Sequence, residues 1–223
     1  MSTPLADRYH TVKAALHPGV TLVAVSKTRT VAEIGALYAL GQRDFGENYP
    51  QELREKAALL PRDIRWHFIG HLQRSNARHV VPLAHLVHGV DSARLATEID
   101  KRAKAEGRIV DVLLQVHIAQ EETKHGLSAD ELREAVRTWS WAAWDGLRVR
   151  GLMGMASNTD DRLQVAREFK GLRELFDEIA AAGAPGPGPF DILSMGMSGD
   201  ADLAMDAGST LVRIGTALFG PRA

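Results

Sequence analysis

The feature that most constrains this chain is a regular alternation of two kinds of segment. Strand-like runs, rich in β-branched and apolar residues, fall at 21–27, 44–48, 65–70, 86–90, 110–118, 147–155, 191–197 and 210–216. Between them lie stretches with apolar spacing of three and four, such as "VAEIGALYAL", "SARLATEIDKRAKAEG" and "DRLQVAREFKGLRELFDEIAAAG". The last of these stops at Gly183, before the loop "APGPGP". Alternating strand and helix implies a parallel sheet, because each return to the same sheet edge needs a crossover. Eight units in 223 residues fit a closed (β/α)8 TIM barrel. An open doubly wound sheet should carry G-x-G-x-x-G after its first strand, whereas here the text is "KTRTVAE", with no glycine. The expectation is a single barrel domain over 1–223, with an N-terminal helix within 1–17 ended by Pro18 and Gly19.

Composition narrows the function classes. Lys plus Arg number 27 against 28 Asp plus Glu, so no large basic surface for nucleic acid is expected. Cysteine is absent, which excludes disulfides, thiolate metal sites and cysteine nucleophiles. The start "MSTPLADRYH" lacks the basic and apolar regions of a secretory signal. The most apolar run, "IVDVLLQVHIA", is broken by Asp111, Gln115 and His117 and is too short to span a bilayer. A soluble, cytoplasmic protein with no membrane partner is expected.

In a barrel of this kind, functional residues sit at the C-terminal ends of the strands. Those ends offer Lys27, Glu47 with Asn48, Gly70, Met153 with Met155, "GMSGD" at 196–200, and Arg213 with Gly215 and Thr216. The two last loops, "GMSG" and "IGTALFG", are small-residue turns with hydroxyls. Either alone reads as a plain tight turn, but two of them on adjacent final strands suit a phosphate. Period-two alternation groups Val23, Val25 and Lys27 on one face, and Leu211, Arg213 and Gly215 on another. If both faces point inward, a lysine and an arginine meet above a valine-lined floor. A lysine beside a phosphate pocket suggests a Schiff base with a phosphorylated aldehyde; a lysine reaching solvent from a strand end fits the same residues. His67 reads as a core histidine with its nitrogens satisfied or as a base. The nine histidines show no H-E-x-x-H spacing, so no metal is expected. The three tryptophans of "TWSWAAW" read as a helix end packed on the barrel exterior.

"AVSKT", "FGENY", "WHFIGHLQ", "RGLMGM", "SMGMSGD" and "GSTLVRIGTALFG", in this order along nearly the whole chain, resemble the pyridoxal phosphate homeostasis protein family, also called YggS-like. The resemblance implies a barrel of the alanine racemase N-terminal-domain type. It implies pyridoxal 5′-phosphate (PLP) held on Lys27, with Ser198, Gly215 and Thr216 at its phosphate, Asn48 nearby, Arg213 opposite the pyridine nitrogen and Met153 beside the cofactor. It implies a role in PLP homeostasis, with PLP-dependent apo-enzymes as partners. One motif departs: where the family has an Asn-Lys pair after "IGxLQ", this chain reads "RSNARHV", so that lysine is missing and only Arg74 or Arg78 could supply its charge.

The alternative is a PLP-dependent racemase of the alanine racemase class. That chemistry needs an acid/base on each face of the substrate. The sequence stops at Ala223, just past Thr216, so the second domain that supplies the tyrosine in that class is expected to be absent. Tyr49 is then the tyrosine to watch. A third reading, a phosphate-binding enzyme without PLP, would draft Glu47 and His67. An arginine cannot take a proton from the pyridine nitrogen, so weak carbanion chemistry and no significant turnover are expected.

Overall fold

The computed structural model describes residues 4–121 and 123–221. Eight parallel strands close into a barrel in chain order. They are β1 Thr21–Val25, β2 Asp44–Glu47, β3 Arg65–Phe68, β4 Ala84–Val90, β5 Val110–His117, β6 Leu147–Met155, β7 Ile192–Ser194 and β8 Leu211–Ile214. Helix α1, Pro4–Ala14, precedes the first strand. A helix follows every strand: α2 Val31–Ala39, α3 Pro50–Leu59, α4 Ala77–Val80, α5 Ala93–Ala105, α6 Ala129–Thr138, α7 Arg162–Gly183, α8 Ala201–Asp206 and α9 Thr216–Phe219. The expected alternation and barrel are therefore present.

The ends differ from expectation for local reasons. β1 stops at Val25, not Lys27, because Ser26 adds one last ladder bond to Gly46 and Thr28 then turns left-handed, with φ 62°. β8 stops at Ile214, since Gly215 already opens α9. α1 ends at Ala14, where Ala15 and Leu16 tighten into i→i+3 bonds ahead of Pro18. Residues 1–3, the start of the expected 1–17 segment, lie outside the described residues. Helix starts are chemically marked: at α2 the Thr30 side chain accepts from Glu33 N, while the Glu33 carboxylate accepts from Thr30 N at 2.8 Å.

Strand alternation divides the buried apolar residues into two sets. Leu22, Ala24, Phe45, Leu152, Val212 and Ile214 face outward and pack with helix residues such as Ile34, Leu53 and Phe169. Val23, Leu86, Leu113, Met153 and Leu211 form a separate small cluster inside the barrel. Val23 and Leu211 thus fix the inward face of their strands, and Val25, Lys27, Arg213 and Gly215 follow on that face. Closure comes from β1 pairing β8, Thr21 opposite Leu211 through Ala24 opposite Ile214. Outside this seam, α1 lies against α9, and Arg8 donates to the carbonyls of Leu218 and Phe219 at 2.7 and 3.3 Å. The tryptophans pack on one another after α6, with Trp139 and Trp141 ring centres 5.4 Å apart and Trp144 buried. Among the described residues no helix is long and apolar enough to cross a membrane.

Candidate functional site

The inward set leads to a cavity of about 290 Å³ at the C-terminal mouth of the barrel. Its walls bring together Lys27, Asn48, Ser198, Arg213, Gly215 and Thr216, with Val25, Arg29, Ile69, Met155, Met197 and Gly199. Six of the seven residues singled out in the sequence meet there. The seventh, Met153, does not line the cavity. It is 1 % exposed and lies in the interior cluster with Val23 and Leu211, and Met155, two residues on along the same face, takes its place at the wall. Tyr49 is 52 % exposed at the start of α3 and is not among the lining residues.

The Lys27 turn is braced from outside the barrel. Thr28 is the one non-glycine residue with positive φ among the described residues, an uncommon conformation for a β-branched side chain. Its N–H donates to Glu52 Oε2 on α3 at 2.7 Å. The same carboxylate oxygen accepts from Lys56 Nζ at 2.6 Å, and Lys56 also donates to Ser26 O and to Glu47 Oε1, each at 2.8 Å. Desolvation opposes the Glu52 charge, but the Lys56 and Thr28 hydrogen bonds outweigh it and hold the carboxyl below its ordinary value. Glu47, fully buried, is pushed up by burial despite Lys56 and Ser26. Glu47 therefore belongs to the brace behind the site, not to the cavity, so the acid/base role drafted for it has no geometric basis.

At the opposite wall, Gly215 N and Ala217 N both donate to Ser198 Oγ, at 3.3 and 3.4 Å. The strand-seven and strand-eight loops are thereby drawn together around one hydroxyl. Gly196 makes the first loop possible: its φ is 96°, and a Cβ there would come within 2.6 Å of the Ala204 Cβ. Asn48 is set in place by Gly70, where a Cβ would lie 2.3 Å from Asn48 O. Asn48 lines the cavity, and its Oδ1 is buried without a hydrogen-bond partner.

Arg213 is 4 % exposed. Its Nη1 donates to Ser194 O and Oγ at 2.9 and 2.5 Å, and its Nη2 to Gly154 O at 3.1 Å. Burial lowers its pKa to about 10, opposed by the Asp200 charge, so it remains a cation at neutral pH. His67 is the satisfied core histidine, its Nδ1 3.0 Å from His88 Nε2 and its Nε2 3.0 Å from Asp44 Oδ1. The divergent loop forms a 3-10 turn, Arg74–Asn76, leading into α4. Ala77 is buried there, while Arg74 and Arg78 are exposed and do not line the cavity.

One group of possible metal ligands escaped the spacing argument because it comes from three separate loops. His71, Asp91 and His125 bring ligand atoms within 4.8 Å of one another. The two imidazoles stack at 4.0 Å with planes 18° apart. A metal must lie in the plane of each ring that binds it, and near-parallel rings share no such nearby point, so this arrangement is a ring stack and not a formed metal site.

Residues 3–223 match the family model of the alanine racemase N-terminal domain. The pyridoxal phosphate homeostasis protein of Escherichia coli K12 is 39% identical over 208 residues, 91% of this chain and 86% of its own. That of Synechocystis sp. PCC 6803 is 36% identical over 219 residues, 96% of this chain and 97% of its own. Among solved structures, PipY of Synechococcus elongatus PCC7942, with PLP bound, superposes with a TM-score of 0.86 at 35% identity, covering 97% of this chain and all of that one. The alanine racemase of Bartonella henselae, at 18% identity and a TM-score of 0.74 over 58% of its chain, shares the fold.

Proposed function

This chain belongs to the pyridoxal phosphate homeostasis protein family, and from that premise we propose that it binds PLP in the cavity at the barrel mouth and serves intracellular PLP homeostasis. The observation that carries the reading is the convergence, on one cavity of about 290 Å³, of an amine, a buried guanidinium and two hydroxyl- and glycine-bearing loops. The orphaned Asn48 Oδ1 on the same wall fits a polar ligand. PLP brings an aldehyde that condenses with an amine, losing water, and a dianionic phosphate. Lys27 is the residue that would hold the aldehyde carbon. Ser198, Gly215 and Thr216 would hold the phosphate, with Asn48 beside it. Met155 and Val25 supply apolar wall in the place first expected of Met153.

Arg213 decides between holding and turnover. A guanidinium has only N–H donors, so it takes no proton from a ring nitrogen placed opposite it. A carboxylate there would keep that nitrogen protonated and favour carbanion chemistry. Tyr49, exposed and outside the cavity wall, is no ready second base. We therefore read residues 1–223 as one cytoplasmic PLP-holding barrel that exchanges PLP with apo-enzymes and shows no significant turnover.

Borohydride reduction of the PLP-loaded protein followed by peptide mapping should place the pyridoxyl group on Lys27. Label only on Lys13, Lys124 or Lys170 would reject the assignment. Exchange of the α-proton of alanine or serine in deuterium oxide should stay far below ordinary enzyme rates of roughly 1–1,000 per second. Exchange at such rates, abolished in Lys27→Ala, would establish an enzyme instead.

A further inference from the structure

Arg213 stands at the top of a column of buried side chains that runs down the barrel interior. Ser194 Oγ, which accepts from Arg213, lies 3.1 Å from His88 Nδ1. His88 Nε2 lies 3.0 Å from His67 Nδ1, and His67 Nε2 lies 3.0 Å from Asp44 Oδ1. Asp44 is also gripped by Arg65, at 2.7 and 2.5 Å. Ser194 and His88 are fully buried, and His67 is 2 % exposed. The lower end opens on a second cavity at the N-terminal mouth, lined by Asp44, Arg65, His67 and His85. None of these groups except Arg213 lines the upper cavity.

The Asp44 end sets the direction of the first bond. Asp44 is a carboxylate whose pKa sits at about 2, so it only accepts. His67 must therefore carry its proton on Nε2. Where His88 Nε2–H donates to His67 Nδ1, His88 Nδ1 is left as an acceptor. Burial above all, with the Arg213 guanidinium adding to it, holds His88 well below the ordinary histidine range, so it keeps a single proton. The Ser194 hydroxyl must then donate to His88, and its lone pair is left aimed at Arg213 Nη1. Each donor has an acceptor and no link is doubled.

We propose that Ser194, His88, His67 and Asp44 are positioning residues that fix the orientation of the Arg213 guanidinium from the far end of the barrel. They touch no ligand. Losing the His88 acceptor frees the Ser194 hydroxyl to turn, and the shortest hydrogen bond of Arg213 is loosened with it. The proposal rests on the PLP reading only for the second of its two tests.

The first test uses cofactor-free protein. Nitrogen NMR of the imidazoles at neutral pH should show protonated Nε2 and bare Nδ1 on both His67 and His88; a proton on His88 Nδ1 would overturn the column. The second uses PLP-loaded protein and follows the absorbance of the Lys27 adduct against pH. Ser194→Ala and His88→Gln should each move the midpoint by about half a pH unit or more, roughly threefold in the equilibrium. In an Arg213→Met background the same substitutions should move it no further, as expected for groups that act through one residue. Lowered melting temperature with an unmoved midpoint, or an equal shift without Arg213, would reduce the column to ordinary core and sink the proposal. If wild type forms no adduct, the PLP reading fails, and the NMR result alone decides on the column.

Discussion

At the residue scale the phosphate end of the site is the most sharply testable. Ser198 Oγ gathers two backbone N–H groups, and Thr216 stands beside it on the same wall. Removing both hydroxyls, in Ser198→Ala with Thr216→Val, should weaken PLP far more than unphosphorylated pyridoxal. A hydrogen bond to a charged group contributes roughly 1.5–3 kcal/mol, so about tenfold or more per hydroxyl is expected in competitive titrations of the two ligands. Equal losses would place the phosphate elsewhere. These residues were legible in the sequence because two small-residue loops with hydroxyls stand at the ends of adjacent final strands. Lys27 and Arg213 were legible as pairs of faces, and the interior cluster decided which face was inside. Met153, placed beside the cofactor by resemblance alone, lies one inward step below the cavity wall. The Arg213 column was not legible at all: its members come from five strands, and only their register brings them into line.

At the scale of elements, the eight strands were readable from apolar patterning, while their ends were not. The end of β1 is set by a contact 24 residues away in sequence, Thr28 N to Glu52 Oε2. No local pattern contains that. Helix α3 acts as a brace, and Glu52→Ala should show it. The substitution strips Thr28 N of its acceptor and Lys56 of one of two carboxylates. A loss of about 1–3 kcal/mol in urea unfolding is expected, with weaker PLP binding as the Lys27 turn relaxes. Unfolding unchanged within a few tenths would mean that the left-handed Thr28 needs no brace. The divergent segment 74–78 belongs to this scale too: it forms a turn and the start of α4, with Ala77 buried and Asn76 half-buried.

At the scale of the whole molecule, stability and assembly both turn on the barrel. Burial opposes the Asp44 charge, but the His67 and Arg65 hydrogen bonds outweigh it and hold the pKa at about 2 against an ordinary value of about 3.9. A depressed carboxylate stabilises the fold above its unfolded pKa and ceases to as pH falls through the folded one. Asp44 should therefore contribute about 2 kcal/mol near neutrality, lost between about pH 4 and pH 2. Urea melts of wild type and Asp44→Asn should differ most at neutral pH and converge in acid; a constant gap would remove the charge from the account. The seam between β1 and β8 carries a different consequence, one of timing during synthesis. Lys27 follows the first strand to be made, whereas Arg213, Gly215 and Thr216, which complete its cavity, come with the eighth. Until then the nascent chain has an open sheet with two raw edges and half a binding site. Ligand capture must wait for the eighth strand, and a bound ligand then tightens the seam by mass action. A nascent chain stalled before β8 would be a poor binder and also a sticky one, exposing to other chains the edges that the finished barrel hides.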